Sequence, residues 1–106
     1  MSSVLGTWDL AMKTPIGTIT ATYTFASGEH GVCGEARGKA ETVPLEDVVA
    51  EPTDAGATRV RWRQSITKPM RLNLDFDVTV TGDEMTGVSR AGRLPRTRVS
   101  GRRIAP

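Results

Sequence analysis

Met70-Arg71-Leu72-Asn73-Leu74-Asp75-Phe76-Asp77-Val78-Thr79-Val80 alternates without a break: Met70, Leu72, Leu74, Phe76, Val78 and Val80 fall on one side, and Arg71, Asn73, Asp75, Asp77 and Thr79 on the other. A β-strand, whose successive side chains point to opposite faces, turns that order into one apolar and one polar surface. The same period recurs on either side of it. Thr58 to Ile66 sets Val60, Trp62, Gln64 and Ile66 against Arg59, Arg61 and Arg63. Thr18 to Phe25 sets Ile19, Ala21, Tyr23 and Phe25 against four threonines, a β-branched row that favours strand. In Val4 to Lys13, Val4, Trp8, Leu10 and Met12 share a face opposite Thr7, Asp9 and Lys13. Shorter segments at Gly31–Gly38, Val43–Glu51, Met85–Ala91 and Arg96–Arg103, bounded by glycine, proline or polar turn residues, bring the expected total to eight strands.

Connections such as Thr81-Gly82-Asp83-Glu84 and Lys68-Pro69 are too short for the crossover of a parallel sheet, so the strands form an antiparallel meander. Closing it into an all-β, eight-stranded, up-and-down barrel removes the exposed edges an open sheet would leave. Three hairpins then pair inward residues with inward ones. One sets Trp62 opposite Leu74, Arg61 opposite Asp75 and Arg59 opposite Asp77. A second sets Val80 opposite Met85, Val78 opposite Gly87 and Phe76 opposite Ser89. The third sets Trp8 opposite Tyr23 and Leu10 opposite Ala21.

At 106 residues the chain has room for one domain, 1–106, and no separate cofactor domain. Apolar residues at 38% and charged residues at 25% describe a chain that buries a core rather than a disordered one. No run approaches the length of a membrane span, and Met1-Ser2-Ser3-Val4 lacks the basic start and apolar stretch of a signal peptide, so a cytoplasmic location and no membrane partner are expected. Cys33 is the single cysteine and His30 the single histidine, too few soft ligands for a zinc or iron site within the chain; no metal and no cofactor are expected. Nor is a thiol enzyme, since no third group orients the histidine.

Leu5-Gly6-Thr7-Trp8, followed by a meander that ends in Val99-Ser100-Gly101-Arg102-Arg103, resembles the calycin superfamily of lipocalins, fatty-acid-binding proteins and avidins, in the form of a small bacterial barrel. The resemblance spans the chain and rests most on the Gly-x-Trp. It implies that Trp8 seals one end of the barrel with Arg103 of the last strand packed across its ring. The ligand-binding tryptophan row of avidins is not reproduced, so biotin is not implied.

With Trp8 at the closed end, the mouth is built by the loops Lys13–Thr18, Gly38–Val43, Thr67–Met70 and Gly92–Arg96. Pro15, Pro44, Pro69 and Pro95 stiffen these turns, and Lys13, Lys39, Lys68, Arg93 and Arg96 outnumber Glu41 on the rim. Inward parity nominates Leu10, Met12, Tyr23, Trp62, Gln64, Met70, Phe76 and Ser89 as ligand contacts, with Gly34, Ala36, Gly87 and Gly101 small enough to leave space beside them. Pairing of Gln64 with Tyr23 or Ser89 is the competing use of those polar groups.

The expected activity is binding of a small, largely apolar molecule, one that can bear a carboxylate. The alternative is a cofactor-free cyclase or isomerase acting on a hydrophobic molecule in the same barrel, by orientation and hydrogen bonding. A third reading is a nucleic-acid or protein interaction module. It draws on the six arginines and no acid between Met85 and Pro106, but inward parity takes every aromatic from the surface, where nucleic-acid stacking needs one. Glu29 to Asp54 holds seven acids against Arg37 and Lys39, and that region of a second copy suits the arginine-rich edge, giving an expected homodimer.

Overall fold

Alternation is honoured along the chain in the computed structural model, which describes residues 3–14, 17–39, 41–67 and 71–106. Nine strands form, with no helix among the described residues: β1 (Gly6–Thr14), β2 (Gly17–Gly28), β3 (Gly31–Arg37), β4 (Thr42–Pro44), β5 (Glu46–Pro52), β6 (Thr58–Ile66), β7 (Leu72–Thr81), β8 (Glu84–Ala91) and β9 (Thr97–Ala105). All pairings are antiparallel, in the order β4-β3-β2-β1-β9-β8-β7-β6-β5. The first and last strands of the chain therefore pair, and the sheet curls into a nearly closed barrel.

Nine strands replace the expected eight because Val43–Glu51 is bent rather than continuous. β4 pairs with β3 and β5 with β6, and between them Leu45 turns inward, buried, its N–H donating to the Gly34 carbonyl at 2.9 Å. Pro44, which has no N–H to give a ladder, sits just before the bend. Asp47 follows it at φ 50°, inside a register shift between Glu46 and Val49. A bulge of this kind re-aims a strand, so one stretch of chain serves two neighbours.

Two expected hairpin registers are found as written, β7 with β8 and β1 with β2. The third is displaced by two residues: Trp62 lies opposite Phe76, not Leu74, and Ile66 opposite Leu72. The connection is correspondingly longer, and Met70, expected to open the sixth strand, lies outside the described residues together with Pro15, Lys68 and Pro69. Parity survives, because a shift of two returns each side chain to its own face. On the outer face Arg63 now opposes Asp75, with Nε 3.2 Å from its carboxylate, while Arg59 reaches Asp77 diagonally through two hydrogen bonds of 3.0 and 2.6 Å. Those bonds hold the Asp77 carboxyl below the usual carboxylate range.

The closed end is organised by Arg103. Its guanidinium lies 4.4 Å from the centre of the Trp8 ring, Nε donates to Asp83 at 2.7 Å, and Nη2 donates to the Gly82 carbonyl at 3.1 Å and the Ser3 carbonyl at 2.5 Å. Nη1 donates to the Leu5 carbonyl. Trp8 in turn donates its indole N–H to the Val4 carbonyl at 2.8 Å. One planar fork thus ties the start of the chain, the β7–β8 turn and the barrel floor together, a geometry an ammonium does not reproduce. Trp8→Ala is expected to lower unfolding free energy by about 3–5 kcal/mol in urea denaturation, the range for deleting a buried aromatic. Arg103→Lys, which keeps the charge, is expected to lose at least about 1 kcal/mol; wild-type stability in that variant would show that the fork does not hold the closed end.

Candidate functional site

Four rings meet inside the barrel because β2, β6 and β7 each contribute aromatic residues with inward parity. Trp62 and Phe76 stack at 4.8 Å and 8°, the Phe25 edge meets Trp62 at 5.3 Å, and Tyr23 lies 5.8 Å from Trp62 and 6.0 Å from Phe76. Gln64 caps the set. Its Oε1 accepts the Tyr23 hydroxyl at 2.8 Å and the Trp62 indole N–H at 3.1 Å, so one amide oxygen satisfies two buried donors. Of the two uses considered for Gln64, pairing with Tyr23 is the one formed. Burial pushes the Tyr23 phenol above its ordinary range, against the opposing pull of the Gln64 bond, and keeps it neutral.

The expectation that Gly34, Gly87 and Gly101 leave open space is corrected. A Cβ on Gly87 would stand 2.2 Å from the Asp77 carbonyl oxygen, one on Gly34 2.5 Å from that of Thr24, and one on Gly101 2.9 Å from Leu10 Cδ1. These glycines admit backbone and side chain to close approach, and Ala36 is itself buried opposite Tyr23. The nominated residues are nonetheless brought together. Leu10, Met12, Tyr23, Trp62 and Phe76 belong to one buried cluster, with Leu74 packed on it. Gln64 and Ser89 are buried beside them, Ser89 opposite Phe76 on β8. Met70 lies outside the described residues.

Toward the mouth the inward positions change character. Ala21, Ile66, Leu72, Leu74, Ala91 and Thr97 are half-buried, and Ile19, expected inward, is 49% exposed, because the strands extend past the packed rings and have nothing across from them to bury against. Leu94 on the β8–β9 turn is 55% exposed. Around this level lie Lys13, Lys39, Arg93 and Arg96, all exposed. Glu41 is not a free counter-charge: its carboxylate accepts the Thr67 N–H and hydroxyl, both at 2.7 Å, and ties the β3–β4 loop to the β6–β7 loop. A recess of about 320 Å³ opens on the outer face of β5, β6 and β7 near the mouth, lined by Glu46, Arg63, Ser65, Asn73 and Asp75, with Gln64 and Leu74 between them. Sequence reasoning did not nominate Leu74 or this recess. The signal was present in the inward parity of Leu74, but depth along a strand is not encoded by parity.

The remaining candidates stand apart from this level. Cys33 is exposed on the outer face of β3, and His30 is exposed in the β2–β3 turn at the closed end. No cluster able to hold a metal ion occurs among the described residues, and no helix among them is long and apolar enough to cross a membrane. No family model, curated protein or solved structure matches the chain.

Gln64→Leu strands two donors, so it is expected to cost roughly 2–4 kcal/mol of unfolding free energy, and clearly less in a Tyr23→Phe background, where one donor is already gone. Equal losses in both backgrounds would show that the Tyr23 bond contributes nothing. The chain has a single tyrosine, so its titration is separable. With the folded phenol raised, the unfolded chain releases its proton first: stability is constant up to about pH 10 and falls above it, and Tyr23→Phe is expected to remove that fall.

Proposed function

We propose that this chain binds a small, largely apolar molecule with an anionic end at the mouth half of the barrel, above the layer formed by Tyr23, Trp62 and Gln64. The observation that carries the reading is the transition along the barrel axis, from rings packed to van der Waals contact to an inward apolar surface at Leu74, Leu72 and Ile19 that stays partly open. Apolar side chains left half-exposed above a packed floor gain free energy from any apolar body that covers them. Met12, Leu74 and Ile19 supply that contact, Gln64 a polar group at the floor, and the exposed Lys13, Arg93 and Arg96 attract a carboxylate from solution. Leu10, Phe76 and Ser89 support the floor from within. The calycin-like layout, with the first and last strands paired and Arg103 over Trp8, is consistent with a carrier of this kind.

A second reading, a cyclase or isomerase that holds a reactive substrate in one shape, is favoured by Gln64 alone, a buried amide at the boundary of the ring layer. The buried, neutral Tyr23 already donates its proton to Gln64, which leaves binding as the stronger reading.

The experiment is a titration of intrinsic fluorescence with decanoate and decanol. Saturable change with both, tighter for decanoate and more so at low salt, is the expected result. Leu74→Ala is expected to weaken decanoate about tenfold, corresponding to the loss of roughly two buried methylenes, without altering the near-ultraviolet dichroism of the rings. If neither compound gives a saturable change, the mouth does not bind apolar molecules.

A further inference from the structure

Charge outside the ion pairs is uneven on the outer face: a basic excess lies on β8 and β9 despite Glu84 there and Asp9 on the adjoining β1, and an acidic excess on β3 and β5 despite Arg37 and Lys39 beside it. Four ion pairs are found among the described residues, and they consume Arg59, Arg61, Arg63 and Arg103 with Asp77, Glu51, Asp75 and Asp83. None of Lys13, Arg90, Arg93, Arg96 and Arg98 is among them; these gather on the mouth half of β1, β8 and β9. Lys13 and Arg98 are direct cross-strand partners, and like charges so placed repel. Glu29, Glu35, Glu46, Asp47 and Asp54 are likewise outside those pairs, all exposed, on β3, on β5 and in the turns beside them.

Sheet order fixes the relation between the patches. With β4 and β5 sharing one place in the circuit, β8 and β9 lie three or four strands from β3 and β5 in either direction, which is the opposite side of the barrel. The molecule measures 36 × 27 × 25 Å, so the patches are separated by about three Debye lengths at physiological salt and do not neutralise each other. Net charge is only +2, and a surface that complements both patches is the chain's own.

We propose that copies of this chain associate head to tail, the basic β8–β9 face of one against the acidic β3–β5 face of the next. Because the two faces point in opposite directions, each contact leaves one basic and one acidic face unused. A two-fold dimer would have to satisfy both contacts at once, which a rigid barrel with opposed faces does not allow; the assembly grows as an open chain or closes as a ring of three or more. This inference does not require ligand binding at the mouth, although Lys13, Arg93 and Arg96 take part in both.

Sedimentation across protein concentration at low salt tests it. Average mass is expected to rise past that of two copies and to return to that of one at about 0.5 M salt, where screening shortens to a few ångströms. Two folded variants sharpen the result: Arg96→Gln with Arg98→Gln blocks the basic face, and Glu29→Gln with Glu35→Gln blocks the acidic one. All four positions are exposed, and folding is checked by the ring dichroism. Each variant alone is expected to stay a monomer. Their mixture is expected to give one-to-one complexes and nothing larger, since each supplies the face the other lacks. A monomeric wild type at low salt, a plateau at two copies, or a mixture that remains monomeric overturns the proposal. So does tight binding of a short oligonucleotide by a wild type that does not self-associate.

Discussion

Closure of the sheet depends on one stretch of chain meeting two obligations. A meander of antiparallel strands has two edges, and unless they meet, rows of backbone N–H and C=O groups stay open. Here β1 and β9 pair in full, and the remaining gap is bridged by Thr42–Pro52, which pairs with β3 through its first part and with β6 through its second. The bend between them falls at Leu45, where the side chain is buried and the backbone N–H still finds the Gly34 carbonyl. Pro44 and the positive φ of Asp47 are the local chemistry of that bend. It also places the acidic residues of β5 beside those of β3, and so decides which side of the barrel carries negative charge.

What fills the barrel follows from its width. Eight strand positions enclose little more than a layer of side chains, and this chain supplies two tryptophans, two phenylalanines and one tyrosine to fill it. Trp8 is held at one end by Arg103, and the other rings interlock in the middle. Glycines at positions 34, 87 and 101 let the walls approach this filling, so the space that small inward residues promised in the sequence is consumed by the backbone opposite. The polar cost of burying Tyr23 and Trp62 is met by a single oxygen of Gln64, the boundary between the packed half and the mouth.

How much of this was legible depends on the kind of information each feature needs. Period two identified the strands and their inward faces, because burial on one side imposes it directly. It turned Tyr23 and Gln64 inward, with Ser89 an equal candidate partner for that amide, and set Trp8 opposite Tyr23. It could not distinguish Trp62 opposite Leu74 from Trp62 opposite Phe76, since both keep the same face inward and only the length of the β6–β7 connection separates them. The break at Leu45 was also hidden: Val43 to Glu51 has no interruption in period that outweighs Pro44, and the need to serve two neighbours arises only when the barrel closes. Depth is a third loss. Leu74 and Phe76 read alike in sequence, yet one is half-buried at the mouth and the other sealed beneath it.

These limits share a physical origin that also locates function. In a chain of 106 residues folding buries a smaller fraction of surface than in a larger domain, so the apolar residues that stabilise the barrel cannot at the same time be held apart to leave a deep cavity. Rings placed centrally serve stability. The surfaces proposed for recognition then lie where strands outrun the packing, at Leu74, Leu72 and Ile19, and on the outer face, where side chains are free to carry charge. The same alternation that sends Phe76 and Val78 inward sends Asp75 and Asp77 outward to the β6 arginines, which neutralise that quarter of the circuit and leave β8–β9 and β3–β5 as the charged remainder. On these proposals, a barrel of this size would separate its tasks by position, with stability in the middle, an apolar site at one end, and long-range attraction on two opposed sides.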